Sequence, residues 1–372
     1  MKKIGITGQS GFIGYHLYNQ IKLLSDKYKI IEFKKEYFES FDNLVQFVSE
    51  CDIIIHLAAI NRHDNDEFIY NENISFANKI VDALNHTSFK PHIIFSSSIQ
   101  ENNETPYGQS KKLAREILNN WAKINKSIFT GFVIPNVFGP FCKPNYNSFI
   151  STFSHKILNN EKPILNNNKE VDLIYIDNLV NKIISSIDTP INNDYCIVDA
   201  DETISVENVL NTLTLFKSSY IDNNIIPFLK THFDLNLFNT FRSYIDYENV
   251  FPKTYNLHED NRGTFIEIVK TNGQGQISFS TTKAGITRGN HFHIRKIERF
   301  SVIKGKAEIN IRKIGTDKIY SFILDGDVPS FVDMPIWYTH NIKNIGDDIL
   351  YTNFWINEFF DEQNPDTYFE IV

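Results

Sequence analysis

The chain has 372 residues, of which 42% are hydrophobic and 22% charged, and its formal net charge is −8. That length sets two domains as the starting expectation, since domains run to roughly 100–200 residues. The ordinary composition excludes a disordered or fibrous chain, and the negative charge excludes broad attraction to nucleic acid or to an anionic membrane surface.

The first residues, MKKIGITGQSGFIG, carry glycines where a signal peptide would carry its apolar core. No uninterrupted run of about 18 apolar residues occurs, so no membrane span is expected. Cys51, Cys142 and Cys196 are widely spaced and form no CxxC pair, so they read as small apolar residues in a reducing cytoplasm.

Residues 1 to about 185 alternate short apolar runs with helix-length stretches. KKIGIT, KYKIIEF, CDIIIHLAA, PHIIFSSS and FTGFVIP read as buried strands rich in Ile, Val and Phe. ISFANKIVDAL and SKKLAREILNNWAKI carry a 3.6-residue apolar period between them. The alternation predicts an α/β fold of the Rossmann type, a doubly wound parallel sheet with helices on both faces. SVENVLNTLTLF reads as a further helix capped by Ser205. The texture changes near residue 245. From Tyr255 onward TFIEIV, QISFSTT, RFSVIKG, KAEINIRKI and ILYTNFWI alternate apolar and polar residues between turns, which predicts an all-β sandwich or barrel. The expected division is therefore 1–245 and 246–372, with a linker over 243–254.

The run TGQSGFIG places Gly8, Gly11 and Gly14 directly after the first strand and opens a helix with Phe12 and Ile13. Such glycines let the backbone approach a pyrophosphate, and the helix N-terminus offers it N–H groups. The second strand ends in Lys34 and Lys35, where an NAD enzyme places an acid for the ribose 2′-hydroxyl. A basic tip suits a 2′-phosphate, so NADPH is the expected cofactor. Tyr107 and Lys111 form a YxxxK pair on one helical face. A nearby ammonium favours the phenolate, and such a tyrosine moves a proton at an alcohol or ketone oxygen. A hydroxyl from the end of PHIIFSSS would lie over the same site; Ser96, Ser97 and Ser98 are the candidates, and Ser98 is favoured.

TGQSGFIG, HLAA (56–59), the serine-ended strand, YGQSK and PNVFGP (135–140) together resemble the extended short-chain dehydrogenases that act on nucleotide sugars. The resemblance implies that Ser98 and Tyr107 bind a carbonyl and that Lys111 holds the nicotinamide ribose. It implies that Leu57, Ala58, Ala59 and Asn73 line the cofactor groove, and that Asn136 lies near the sugar-nucleotide diphosphate. Members that dehydrate at C4 and C6 carry an acid directly after the catalytic hydroxyl. Ile99 and Gln100 follow Ser98 here, so simple reduction is expected.

In the β-rich half, His291, His293 and Glu298 stand between Gly285 and Gly305, and His340 follows in PIWYTHNIKN. His291 and His293 share one face of a strand, and a small barrel would bring Glu298 and His340 inward to them. Three imidazoles and a carboxylate suit Zn²⁺ or another divalent transition metal. The spacing resembles the two cupin motifs, with Trp337 at a position where glycine is usual. DNRGTFIE and RGNH also resemble the dTDP-4-keto-sugar 3,5-epimerases, in which that histidine abstracts a proton without a metal. His291 therefore has two readings, ligand or base, and ligand is favoured. Arg262 and Arg288 are the candidate substrate contacts in this half.

Over its whole length the chain resembles the CapF-type bifunctional enzymes of capsular polysaccharide synthesis, most closely in PNVFGPFCKPNYNSFI, which contains the candidate substrate residue Asn145, and in GITRGNHFH. The resemblance implies C3 epimerisation of UDP-2-acetamido-2,6-dideoxy-4-hexulose by the cupin. Reduction at C4 with NADPH by the first domain would follow, in a cytoplasmic homodimer. Two other readings stay open. The cupin could be a non-catalytic metal-binding module beside a sole reductase, or the enzyme could be a 4-epimerase with tightly held NAD, against which Lys34 and Lys35 argue.

Overall fold

The computed structural model describes residues 1–165, 168–261, 263–266, 268–271, 273 and 275–372, without the side chains of 257–260 and 263–266. It divides into two compact units, Met1–Thr152 with Leu165–Val206, and Phe153–Ile164 with Glu207–Val372.

In the first unit β1 (Lys2–Thr7), β2 (Tyr28–Ile31), β3 (Ile53–His56), β4 (His92–Ser98) and β5 (Phe129–Ile134) form a parallel sheet in the order β2-β1-β3-β4-β5. The strand Asn193–Ile197 joins it beside β5. The connections run through α1 (Phe12–Leu23), α2 (Phe41–Glu50), α3 (Asp66–Asn85) and α4 (Pro106–Asn125). Ile4, Ile6, Ile54, Ile93, Phe95 and Phe129 are buried, because a sheet covered on both faces has no polar side. This is the Rossmann-type fold expected from the alternating pattern. The order reverses between β1 and β3, which leaves a crevice beyond their C-terminal ends where ligands of such sheets bind.

The second unit contains two five-stranded antiparallel sheets. One holds Lys253–Thr254, Ser330–Met334, Glu298–Lys304, Leu350–Ile356 and Gln276–Thr282; the other holds Ile319–Asp325, Lys306–Lys313, Tyr338–Asn344, Thr287–Phe292 and Tyr368–Phe369. Val302, Ile309, Ile311, Phe331, Val332 and Trp355 are among its buried residues, and the arrangement is cupin-like.

The stretch 243–254 is not a linker. Ile245, Tyr247 and Phe251 are buried, and Lys253–Thr254 pairs with Ser330 and Phe331. Residues 207–242 pack with the β-rich part, so the compact units divide at Val206, whereas the sequence pattern placed the change at 245. The reason is side-chain bonding that composition does not reveal. Buried Arg242 donates to Met334 O at 2.9 Å and to the Tyr220 hydroxyl at 3.3 Å, and Tyr220 donates in turn to Asp333. Among the described residues no helix is long and apolar enough to cross a membrane.

Candidate active site

A cleft of about 510 Å³ opens over the strand ends of the first unit. Gly8, Gly11, Phe12, Ile13 and Gly14 line it, with Leu57 and Ala59 opposite. The loop after β1 lies backbone to backbone on the loop after β3. Gly8 has φ +77°, and a Cβ there would sit 2.7 Å from Ala58 N; a Cβ on Gly14 would sit 2.1 Å from Gly8 O. A side chain at Gly8 would force the two loops apart, and one at Gly14 would collide with the glycine loop itself. Ala58 faces this packing and does not line the cleft; its N–H donates to Thr7 Oγ1 at 3.3 Å. Asn73 is also behind the wall. Its amide accepts from Ile60 N at 2.7 Å and donates to Ile60 O at 2.8 Å and to Ser110 Oγ at 3.0 Å, so it braces the groove against α4.

Lys34 and Lys35 are exposed beyond the end of β2 and do not line the cleft. They stand next to the glycine loop all the same, because Gln9 Nε2 donates to Phe33 O at 2.9 Å.

Thr105 caps α4 by accepting from Gly108 N at 3.1 Å, and Pro106 occupies the first turn. That start sets Tyr107 and Lys111 one turn apart, and both line the cleft. Ser96, Ser97 and Ser98 line it too. Ser97 is engaged elsewhere: its hydroxyl donates to Glu101, a buried acid held by Arg115 at 2.9 and 3.1 Å. Among the described residues Ser98 Oγ accepts from Gln100 N at 3.2 Å, which leaves its proton for a ligand.

Burial pushes the Tyr107 phenol up to about 12, with Tyr146 adding to it. Burial pulls Lys111 down to about 7, and Glu101 opposes that shift. The expected phenolate is thus not the resting form. Burial and Tyr146 both favour the protonated phenol, so Tyr107 holds the proton that reduction of a ketone requires.

Of the residues expected at the substrate, Asn136 lines the cleft and its amide donates to Asp172 O at 3.1 Å. Asn145 does not line it. It is exposed at φ +56°, its N–H donates to Thr152 Oγ1 at 2.9 Å, and its carbonyl accepts from Arg62 at 3.0 Å. Its neighbours Lys143, Tyr146, Asn147 and Ser148 do line the cleft, and sequence reasoning had not singled them out. The mixed basic, aromatic and polar run KPNYNS was the available signal.

In the second unit His291, His293, Glu298 and His340 come together, each offering one ligand atom within 4.8 Å of the others. A bulge makes this register. Gly289 pairs with Asn341 but His291 pairs with His340, and the extra residue, Asn290, takes φ +59°. The Nε2 atoms of His293 and His340 each lie 3.1 Å from Glu298 Oε2. Those approaches miss hydrogen-bond geometry: all three atoms are buried with no hydrogen-bond partner among the described residues. The other ring nitrogens are occupied, His293 Nδ1 by Asp366 O and His340 Nδ1 by Tyr338 O at 3.2 Å, so Nδ1 carries the proton and Nε2 presents a lone pair. Buried acceptors aimed at one point are what a divalent cation satisfies, and the donor set fits the expected metal.

Burial pulls His291 down to about 4, helped by the other two imidazoles, and keeps it neutral. Burial opposes ionisation of Glu298, but the contacts to His293 and His340 outweigh it and hold the carboxyl well below its usual range. Trp337 keeps the left-handed turn of a glycine position, at φ +60°. That conformation costs on the order of 1–3 kcal/mol for a bulky residue. Full burial, a stack on Phe292 at 5.5 Å and a 2.7 Å bond from its N–H to His293 O offset the cost. Arg288 is tied to the end of the neighbouring strand, donating to Thr282 Oγ1 at 3.1 Å and Thr281 O at 3.0 Å. Arg262 lies outside the described residues.

A Rossmann-type unit with a Ser–Tyr–Lys cleft, followed by a cupin-like unit with a His₃Glu cluster, defines a dinucleotide-binding protein with a second, metal-type site. The chain belongs to the NAD dependent epimerase/dehydratase family, whose profile matches residues 4–197. Residues 258–368 match the Polysaccharide biosynthesis C-terminal domain. The chain is 33% identical over 371 residues, 98% of either sequence, to the UDP-2-acetamido-2,6-beta-L-arabino-hexul-4-ose reductase of Pseudomonas aeruginosa. The crystal structure of capsular polysaccharide assembling protein CapF from Staphylococcus aureus is similar across all of both chains, at 36% identity and a TM-score of 0.63. The UDP-N-acetylglucosamine 4-epimerase of Bacillus cereus, at 18% identity and a TM-score of 0.52 over 58% of this chain and 81% of its own, shares the fold alone. The CapF-type resemblance read from the sequence is borne out by these full-length matches.

Proposed function

We propose that this chain is a bifunctional nucleotide-sugar enzyme. Its second unit epimerises C3 of UDP-2-acetamido-2,6-dideoxy-4-hexulose. Its first unit then reduces the C4 ketone with NADPH to give UDP-2-acetamido-2,6-dideoxy-L-talose, which feeds UDP-N-acetyl-L-fucosamine and capsule or O-antigen synthesis. The observation that carries the reading is the presence in one chain of a Ser98–Tyr107–Lys111 cleft and a His₃Glu cluster. The name of the Pseudomonas relative, a reductase of a UDP-linked hexulose, supports the substrate class.

The order of steps follows from acidity. The C3 proton is labile only while C4 is a carbonyl that can hold the enolate, so epimerisation precedes reduction. His291, His293, Glu298 and His340 would hold the metal, which when bound supplies Lewis-acid stabilisation to an enolate oxygen. Gly8, Gly11, Phe12, Ile13 and Gly14 would hold NADPH in the cleft, where when bound it would supply hydride for C4. Tyr107 gives its proton to the C4 oxygen, Ser98 donates a hydrogen bond to the same atom, and the Lys111 ammonium stabilises the phenolate left behind. Lys34 and Lys35 favour NADPH over NADH. The enzyme would work as a cytoplasmic homodimer.

A second reading has one observation in its favour. Four protein ligands complete a tetrahedral zinc shell, the arrangement of structural sites. In that case the second unit is a metal-stabilised module and the reductase acts alone. Incubation with the UDP-4-keto-6-deoxy-N-acetylhexosamine and NADPH, followed by NMR of the product, tests the proposal. The talo product, inverted at C3 and reduced at C4, is expected; a product reduced at C4 with C3 unchanged would favour the second reading.

A further inference from the structure

The C-terminal segment lies far beyond His340 and outside the histidine spacing, yet it reaches the neighbours of the ligand residues. Glu370 N donates to Asn290 O at 3.0 Å, next to His291. Thr339, next to His340, donates its hydroxyl to Glu370 O. Tyr368 stacks on Phe292 at 5.3 Å, between His291 and His293. Lys296 Nζ donates to Pro365 O at 2.6 Å, and Arg295 Nη2 donates to Asn364 O at 2.8 Å.

Asp366 is the centre of this attachment. Its side chain is fully buried and its backbone takes φ +43°. Its carboxylate accepts three consecutive backbone N–H groups: Ile294 at 3.1 Å, Arg295 at 3.0 Å and Lys296 at 2.9 Å. Those residues are the turn between His293 and Glu298. Its carbonyl accepts the Nδ1 proton of His293. One residue therefore sets both the ring of one ligand and the backbone path to the next. A carboxylate in a nest of N–H groups makes strong, directional bonds, and the partner of the outer ring nitrogen fixes how a histidine presents the inner one.

We propose that the C-terminal segment is part of the metal centre and that Asp366 is its positioning residue, an inference that rests on the reading of the His₃Glu cluster as a metal site. Replacing outer partners of ligating histidines costs about 10–100-fold in metal affinity. The test is zinc affinity of the full-length protein, measured by competition with a chromogenic chelator, with melting of the metal-free protein alongside. Asp366→Ala keeps the carbonyl that accepts from His293 but releases the turn between His293 and Glu298 that the carboxylate holds, and should bind zinc toward the 100-fold end of that range more weakly. Asp366→Asn tolerates the left-handed backbone and keeps one acceptor oxygen, so it should be rescued to about 10-fold weaker than wild type while melting like it without metal. Zinc binding by folded Asp366→Asn as tight as wild type would overturn the inference. If wild type itself takes up no zinc, the metal reading fails instead.

Discussion

In the first unit the functional residues leave the sheet one after another. Gly8 to Gly14 follow β1, Leu57 to Ala59 follow β3, Ser98 ends β4 and Tyr107 opens α4. In the second unit, strand register and one bulge bring His291 opposite His340, while Glu298 enters from the other sheet. The cleft is a set of separable parts around open space. The cluster is a set of mutually dependent atoms: His293 Nε2, Glu298 Oε2 and His340 Nε2 have no hydrogen-bond partner among the described residues, and a shared centre would satisfy all three. Loss of one part should therefore remove one step from the cleft, but the whole arrangement from the cluster.

The largest effect expected is at Tyr107. Tyr107→Phe should lower NADPH oxidation by about 10²–10⁴, the usual worth of a positioned general acid, while hydrogen exchange at C3 continues. Loss of both activities would contradict the separation of the sites. His340→Ala should do the reverse of a clean deletion. It leaves Glu298 and His293 buried with an incomplete partner set, and should destabilise the second unit by about 3 kcal/mol as well as abolish metal uptake. Denaturant unfolding with elemental analysis measures both; a variant as stable as wild type would show that the cluster is less interdependent than its geometry indicates.

Lys111 gives a smaller effect, dependent on pH. Its folded pKa is about 7, below the roughly 10.4 of an unfolded lysine. Between those values the unfolded chain binds the extra proton, so stability rises with pH, by up to about 1.4 kcal/mol per unit. Unfolding of cofactor-free wild type and Lys111→Met at pH 7, 8 and 9 should differ by that slope, and parallel curves would place Lys111 in water. The smallest effect is at the exposed pair. Changing Lys34 and Lys35 to Ala should weaken NADPH binding by about tenfold, roughly 1.4 kcal/mol for two solvent-screened contacts. NADH binding should stay the same in a fluorescence titration; equal losses for both cofactors would remove the 2′-phosphate argument.

The same contrast explains what could be read in the sequence. Strand-end motifs are contiguous, so the glycine loop, the serine-ended strand and the Tyr107–Lys111 pair were legible, as was the parallel sheet that carries them. The histidine spacing was legible because three of its four residues lie within eight positions, 291–298. What escaped is the supporting shell, whose partners have no fixed spacing. Glu101 with Arg115 engages Ser97, Asn73 braces Ile60 from behind the groove, and Asp366 holds His293. The unit boundary escaped for the same reason, since Arg242 joins its helix to Met334 by a bond that no local pattern announces. Trp337 was legible as a departure from a glycine position; what escaped is the packing on Phe292 that maintains its left-handed backbone.

The central claim is that the second unit performs carbon chemistry of its own. Metal-loaded wild type and Tyr107→Phe should be incubated with the UDP-4-keto sugar in D₂O without NADPH, and C3 followed by NMR. Deuterium should appear at C3 at the same rate in both proteins. Wild type that retains its metal and its fold but leaves the C3 proton in place would contradict the claim, and would leave the reductase as the sole enzyme of the chain.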